Sequence, residues 1–210
     1  DAYSLGGFHD AGDGILCGLT EGFTASTLGW MYYEYKNEFD STGTTDHLRD
    51  ISNEFASFMK ASTTRGDDGS VTNFIYEVGD DGADHGKWRA PELMPGRGSG
   101  EFYSTSSGAS DVAAQYAAAL AQSYINFGNS EDLDYAIALY DFAAKYRTIT
   151  YDQMTYSDRA RRTISRGRQT GSISRLRTTL TLLMRQRTRA ARMTGRTTIT
   201  TAVSGSVRLL

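Results

Sequence analysis

The chain has 210 residues, with 22 Lys plus Arg against 25 Asp plus Glu and a formal net charge of −3. That balance joins two unlike regions: residues 1–150 carry nine basic and 23 acidic side chains, net −14, whereas residues 151–210 carry 13 arginines and two acids, net +11. Ordinary apolar content excludes disorder as the default for the first region and its acidity argues against nucleic acid; no apolar run reaches the about 18–20 residues that span a bilayer, and the lone Cys17 excludes a disulfide framework or cysteine-rich zinc site.

The first segment with chemical character is Gly6-Gly7-Phe8-His9-Asp10-Ala11-Gly12-Asp13-Gly14. Asp10 and Asp13 stand three residues apart with only Ala and Gly between them, so the two carboxylates can turn toward one small volume and grip a shared water, one of them acting as general base. The same residues also fit a solvated acidic turn. Asp10 and Glu21 hold the first and last places of a 12-residue calcium window, but Gly12 and Gly14 stand where oxygen ligands belong and Ile15 replaces the required Gly.

Leu28, Met31, Tyr32, Tyr35 and Phe39 then recur three or four apart, which predicts a helix over about 22–39. Gly43 breaks it. Thr45 and Asp46 open a second helix carrying Leu48, Ile51, Phe55, Phe58 and Met59, and so short a connection predicts an antiparallel hairpin. Val71 to Val78 is the one candidate strand. It lies within a stretch, about 65–109, with nine glycines and both prolines of the chain, read as a structured binding loop because it also supplies Tyr76, Asp80, Asp84, His85, Trp88 and Tyr103. Within it Asp84 could orient the imidazole of His85, and Trp88 could stack on an apolar ring face, although a lone histidine of this kind is more often a plain surface residue. Ser110 and Asp111 start an alanine-rich helix ended by Gly128, and Ser130 caps another with Leu133, Ile137, Tyr140 and Ala144 at helical spacing. His9, His47 and His85 lie too far apart in sequence to suggest zinc, and no phosphate loop, nucleophile elbow or dinucleotide fingerprint is present.

In this order and spacing the segments resemble the amino-terminal part of a family-nine glycoside hydrolase, the cellulase family built on an (α/α)6 barrel. Gly6-Gly7-Phe8-His9-Asp10-Ala11-Gly12-Asp13 resembles its Gly-Gly, aromatic, Asp-Ala-Gly-Asp signature; Phe23 to Tyr35 resembles its first long barrel helix; Tyr76 to Glu92 resembles its Val-Gly, acidic, Asp-His, Trp, Pro-Glu loop; and Ser110 to Ala121 resembles its Ser-Asp helix with an alanine run. The resemblance covers about residues 1–150 and implies an all-α fold, a partial (α/α)6 barrel of about two helical hairpins with a long glycine-rich active-site loop. It implies hydrolysis of β-1,4-glucosidic bonds in cellulose or a related β-glucan with inversion. Asp13 matches the catalytic base, Asp10 the aspartate that helps hold the water, and His85, with Trp88 beside it, the wall of the glucan cleft. It implies no cofactor for this stretch, with calcium a property of longer members, no nucleic-acid or membrane partner, and an extracellular setting. The family's general acid, a glutamate near the far end of a longer domain, has no counterpart here, so the chain itself is expected to be inactive. Gly14-Ile15-Leu16-Cys17 and Gln115 depart from the family pattern without touching either aspartate.

Past Tyr151 the character changes: 13 Arg, 12 Thr, no Lys and no aromatic after Tyr156. Residues 151–210 are read as an appended tail rather than native fold, with out-of-frame translation of the continuing gene as the sharpest expectation. With about two of six hairpins, apolar helix faces are expected to meet water, giving marginal stability. A non-catalytic carbohydrate-binding module and another (α/α) toroid glycosidase or lyase are the alternative functions.

Overall fold

The computed structural model describes residues 5–80, Gly82, Ala90, Leu93 and residues 102–148. In chain order the elements are β1 (Leu16–Cys17), α1 (Gly18–Glu34), α2 (Lys36–Thr42), α3 (Thr45–Ala61), β2 (Thr63–Arg65), β3 (Val71–Val78), β4 (Phe102–Thr105), α4 (Ser110–Phe127) and α5 (Ser130–Tyr146). The segment holding His85 and Trp88, and everything after Thr148, lies outside the described residues.

The single helix expected over 22–39 is two. Tyr35 leaves helical geometry at φ −117°, ψ 33° while its N–H still closes on the Met31 carbonyl, and the turn brings Phe39 edge-on to the buried Tyr32 ring at 5.5 Å. The helix also starts earlier, at Gly18, because β1 feeds straight into it and no apolar repeat marks that first turn. Caps shift by one residue as well: Asn129 rather than Ser130 caps α5, its side chain accepting the Glu131 N–H at 3.1 Å, and Thr44 precedes α3. Gly128 ends α4 in the left-handed conformation, as its sequence position predicts.

α1 packs chiefly against α4, and glycine makes the approach possible. A Cβ on Gly22 would sit 2.6 Å from the Gln115 Cβ, and one on Gly29 would sit 2.7 Å from that of Gln122. Gly18, Gly22 and Gly29 meet Val112, Gln115 and Gln122 in the same order, so the two helices run parallel. α5 returns antiparallel: the Ser110 N–H donates to the Thr148 carbonyl at 2.7 Å, joining the start of α4 to the end of α5. α3 lies against both α1 and α4, with Phe58 packed on Tyr116 and Lys60 bridging to Glu131 and Asp132 of α5. The expected α4–α5 hairpin is thus present, and the seam between the two hairpins runs mainly through α1 and α4. On the outer side of α1, Phe23 and Met31 remain exposed, as does Tyr35 just after it.

The stretch expected to be a long loop carries a sheet. β3 is its centre, with β1 and β2 paired antiparallel along one edge and β4 along the other. β3 was legible as a short run flanked by glycines, and it buries Phe74, Tyr76, Glu77 and Val78. Its partners span two to four residues, too short to show a period. No described helix is long and apolar enough to cross a membrane.

Candidate active site

Register determines what meets at one end of the sheet. Leu16 pairs with Val78, and Val78 pairs with Phe102 on its other side. The turn that enters β1, bearing Asp10 and Asp13, therefore emerges beside the segment that leaves β3 through Asp80 toward His85 and Trp88. Tyr103 of β4 reaches Asp80 with its hydroxyl at 3.5 Å. Segments some 65 residues apart in sequence share one rim because three short strands pair at that end, an arrangement no local pattern announces.

Within the turn the backbone is pinned at several points. The Asp10 N–H donates to the Ile15 carbonyl at 2.9 Å, closing residues 10–15 into a compact loop whose crest, Ala11 and Gly12, is exposed. The Asp13 carboxylate accepts the Ile15 N–H through Oδ1 at 3.1 Å, an Asx-type bond two residues onward that fixes its rotamer. Thr20, in the first turn of α1, donates its hydroxyl to Asp10 Oδ1 at 2.6 Å. Both aspartates are half-buried under an exposed crest, so each is held by the protein and open to a small molecule.

Behind the turn lie two glutamates. Glu54 of α3 accepts the Gly7 N–H at 3.0 Å, and Glu21 of α1 accepts the neighbouring Phe8 N–H through a short bond to Oε1. Gly7 is required here twice over: its φ is +90°, and a Cβ would fall 2.8 Å from the Phe58 ring. Phe8 then lays its ring on Phe55 at 4.6 Å. Glu21 is buried, and that burial pushes its carboxyl up to about 8, helped by the negative charges of Glu54 and Asp10 and opposed by the Phe8 bond. Burial also raises the Cys17 thiol to about 11, which leaves it an unreactive core side chain. Among the described residues no cluster of three or more His, Cys, Asp or Glu side chains gathers around a metal-sized space.

Residues 2–167 match the profile of Glycosyl hydrolase family 9. The chain belongs to that family. It is similar to an endoglucanase of Phaseolus vulgaris, 34% identical over 149 residues, covering 68% of this chain and 29% of that protein. Among solved structures it is similar to the catalytic domain of Clostridium thermocellum CelT, at 41% identity and a TM-score of 0.62, covering 68% of this chain and 30% of that one. It is also similar to endoglucanase CelQ of the same organism complexed with cellotriose, at 28% identity and a TM-score of 0.62, covering 71% and 24%. The chain therefore spans less than a third of the length of these relatives. Their likeness makes the helices a part of the family's (α/α)6 barrel, with the four-stranded sheet set beside it.

Asp10 and Asp13, singled out in the sequence, share one hydrogen-bonded turn, whereas the positions of His85 and Trp88 fall outside the described residues. Thr20, Glu21 and Glu54 were not singled out for this role. Glu21 drew notice only as the end of a failed calcium window; its signal was an acid in the first turn of an otherwise apolar helix, and such an acid normally serves the helix dipole rather than a neighbouring loop.

Proposed function

We propose that this chain is the base-bearing, amino-terminal portion of a catalytic domain that hydrolyses β-1,4-glucosidic bonds in cellulose or a related β-glucan by single displacement. The observation that carries the reading is the shared rim: the Asp10–Asp13 turn and the stem of the His85 and Trp88 segment leave adjacent strands at Leu16 and Val78, in a chain of glycosyl hydrolase family 9. Asp13, its rotamer fixed by Ile15, takes a proton from a water that attacks the anomeric carbon. Asp10, oriented by Thr20, holds that water from the other side. His85 and Trp88 contact the sugar rings. An acid must protonate the departing oxygen from about 6.5–9.5 Å across the bond, leaving room for the water, and inversion follows from that spacing. That acid is supplied by the remainder of the family domain. The substrate is polymeric, so the enzyme works outside the cell, and the residues at hand call for no cofactor.

The 210-residue chain alone is expected to release no reducing sugar from carboxymethylcellulose, because proton donation to the leaving group contributes roughly 100- to 10,000-fold. A hybrid in which residues 5–148 replace the matching stretch of the CelT catalytic domain is expected to cleave, with Asp13→Ala lowering its kcat about 100- to 10,000-fold. A folded, active hybrid indifferent to Asp13→Ala would remove Asp13 from its role; retention on cellulose without cleavage would favour the binding-module alternative.

A further inference from the structure

Two consecutive residues in the first turn of α1 grip the Asp10–Asp13 turn at two points. Thr20 holds the Asp10 carboxylate, and Glu21 holds the backbone at Phe8, two residues earlier. Gly7, between Glu54 and Phe8, lies so close that a Cβ there would come within 3.0 Å of Glu21 Oε1 as well as meeting the Phe58 ring. The loop is therefore seated directly on the Glu21 carboxyl. Only one oxygen of that carboxyl has a hydrogen-bond partner; Oε2 is buried without one.

We infer that Glu21 is a positioning residue: its side chain latches the base-bearing turn onto α1, and loss of its proton loosens the turn. The inference rests on the reading of that turn as the one that carries the base. Its physical ground is what surrounds the group. From the loop it faces Asp10, and from α3 it faces Glu54, both acids. From α4 it faces the fully buried Tyr116 hydroxyl, which is held well above its ordinary range by desolvation, and Cys17 of β1 lies beside the same hydroxyl as an un-ionised thiol. An ionised Glu21 thus gains no compensating charge from these neighbours and leaves one buried oxygen unsolvated. A protonated Glu21 still offers its carbonyl oxygen to the Phe8 N–H. Opening the turn admits water and lets the acid ionise near its ordinary value of 4.5, whereas the closed state holds the proton to about 8. Linkage then favours the open state by tenfold per pH unit between those limits.

Amide hydrogen exchange of the 210-residue chain reads this directly. With rates corrected for intrinsic exchange, protection of the Phe8 amide is expected to fall at least tenfold between pH 5.5 and pH 7.5, while α4 and α5 amides hold steady. Glu21→Gln, which keeps the acceptor and cannot ionise, should retain protection at both pH values. Glu21→Ala should lose it at both, and Glu54→Gln should leave the pH response in place. Phe8 protection unchanged within twofold in the parent chain, a pH response that survives in Glu21→Gln, or one that vanishes in Glu54→Gln would each overturn the latch. The Glu21→Gln arm decides if Glu21→Ala does not fold. No hydrolysis is read, so failure here leaves Asp13 to its own test, and loss of the Asp13 role leaves the latch standing or falling on exchange alone.

Discussion

Two of the three buried carboxylates among the described residues have opposite surroundings. Asp132, at the start of α5, is fully buried and completely attended: the Ser123 hydroxyl donates to it at 2.6 Å, the Asn129 amide at 3.2 Å, and the Lys60 ammonium lies 3.0 Å away. Glu21, equally withdrawn from water, has one backbone N–H, two acidic neighbours and an oxygen with no partner. The first joins three helices, α3, α4 and α5, through these contacts. The second sits under the candidate catalytic turn and keeps its proton to about 8. A buried acid with a full set of donors and a cation is a structural rivet; one left short of partners can respond to pH, and here the short one is beside the site.

The sharpest way to break the contrast is to empty the rivet. Asp132→Ala is expected to cost about 3–5 kcal/mol, because it strands a partly buried ammonium and two polar groups that no longer have a common acceptor. Urea unfolding followed by circular dichroism measures it; a loss under about 1 kcal/mol would mean that Lys60 simply turns to Glu131 and water. Next in size is the pH dependence conferred by Glu21. Its folded-state value is raised, so its stabilising proton is fully held below about 4.5, where the unfolded chain is protonated too, and its benefit is lost as pH rises to about 8. Between pH 5 and pH 8 that amounts to roughly 1 kcal/mol per unit. Subtracting the Glu21→Gln urea midpoints from those of the parent chain across this range isolates the slope, and superimposable profiles would remove it.

Gly7→Ala comes third. The φ of +90° and the 2.8 Å approach to Phe58 both oppose a methyl group, and together they should cost about 1–3 kcal/mol. The damage should be local, read as lost protection at residues 6–15 with the α4 and α5 amides unchanged. Uniform destabilisation would instead make the loop part of the cooperative core.

How much of this was readable beforehand differs between the same two regions. Asp132 lies in the first turn of a helix whose start and apolar period were legible, and the helix period of Leu48, Phe55 and Phe58 located part of the core because long apolar repeats survive tertiary context. Asp10 and Asp13 stood out as two acids among glycines, a pattern a solvated turn shares, and it was the resemblance to the family's signature that gave them separate roles. What stayed hidden depended on meetings across the chain. The break at Tyr35 follows from Tyr32 packing on Phe39 and Phe127; β1, β2 and β4 are too short to alternate; and the parallel seam of α1 on α4 is written in Gly22 and Gly29, whose only signal is the absence of a side chain. Glu21 could not be assigned without knowing that Phe8 folds back onto it.

The smallest expected effect tests whether the latch has one point or two. Thr20 also offers its hydroxyl to the Cys17 carbonyl at 3.0 Å, so its single hydrogen is shared between that group and Asp10. Thr20→Val keeps the shape and removes the donor, and because Asp10 is half-exposed, water can replace the lost bond. Net loss should therefore stay near 1 kcal/mol, about a fivefold fall in protection across residues 10–15, with Thr20→Ser restoring it. Should Thr20→Val disturb the turn as severely as Glu21→Ala, the threonine carries the loop and the glutamate merely fills the space behind it. A small Thr20 effect beside a large, pH-dependent Glu21 effect would place the grip on the backbone at Phe8, upstream of both aspartates, with the Thr20 and Ile15 bonds orienting the carboxylates inside a turn that Glu21 holds in place.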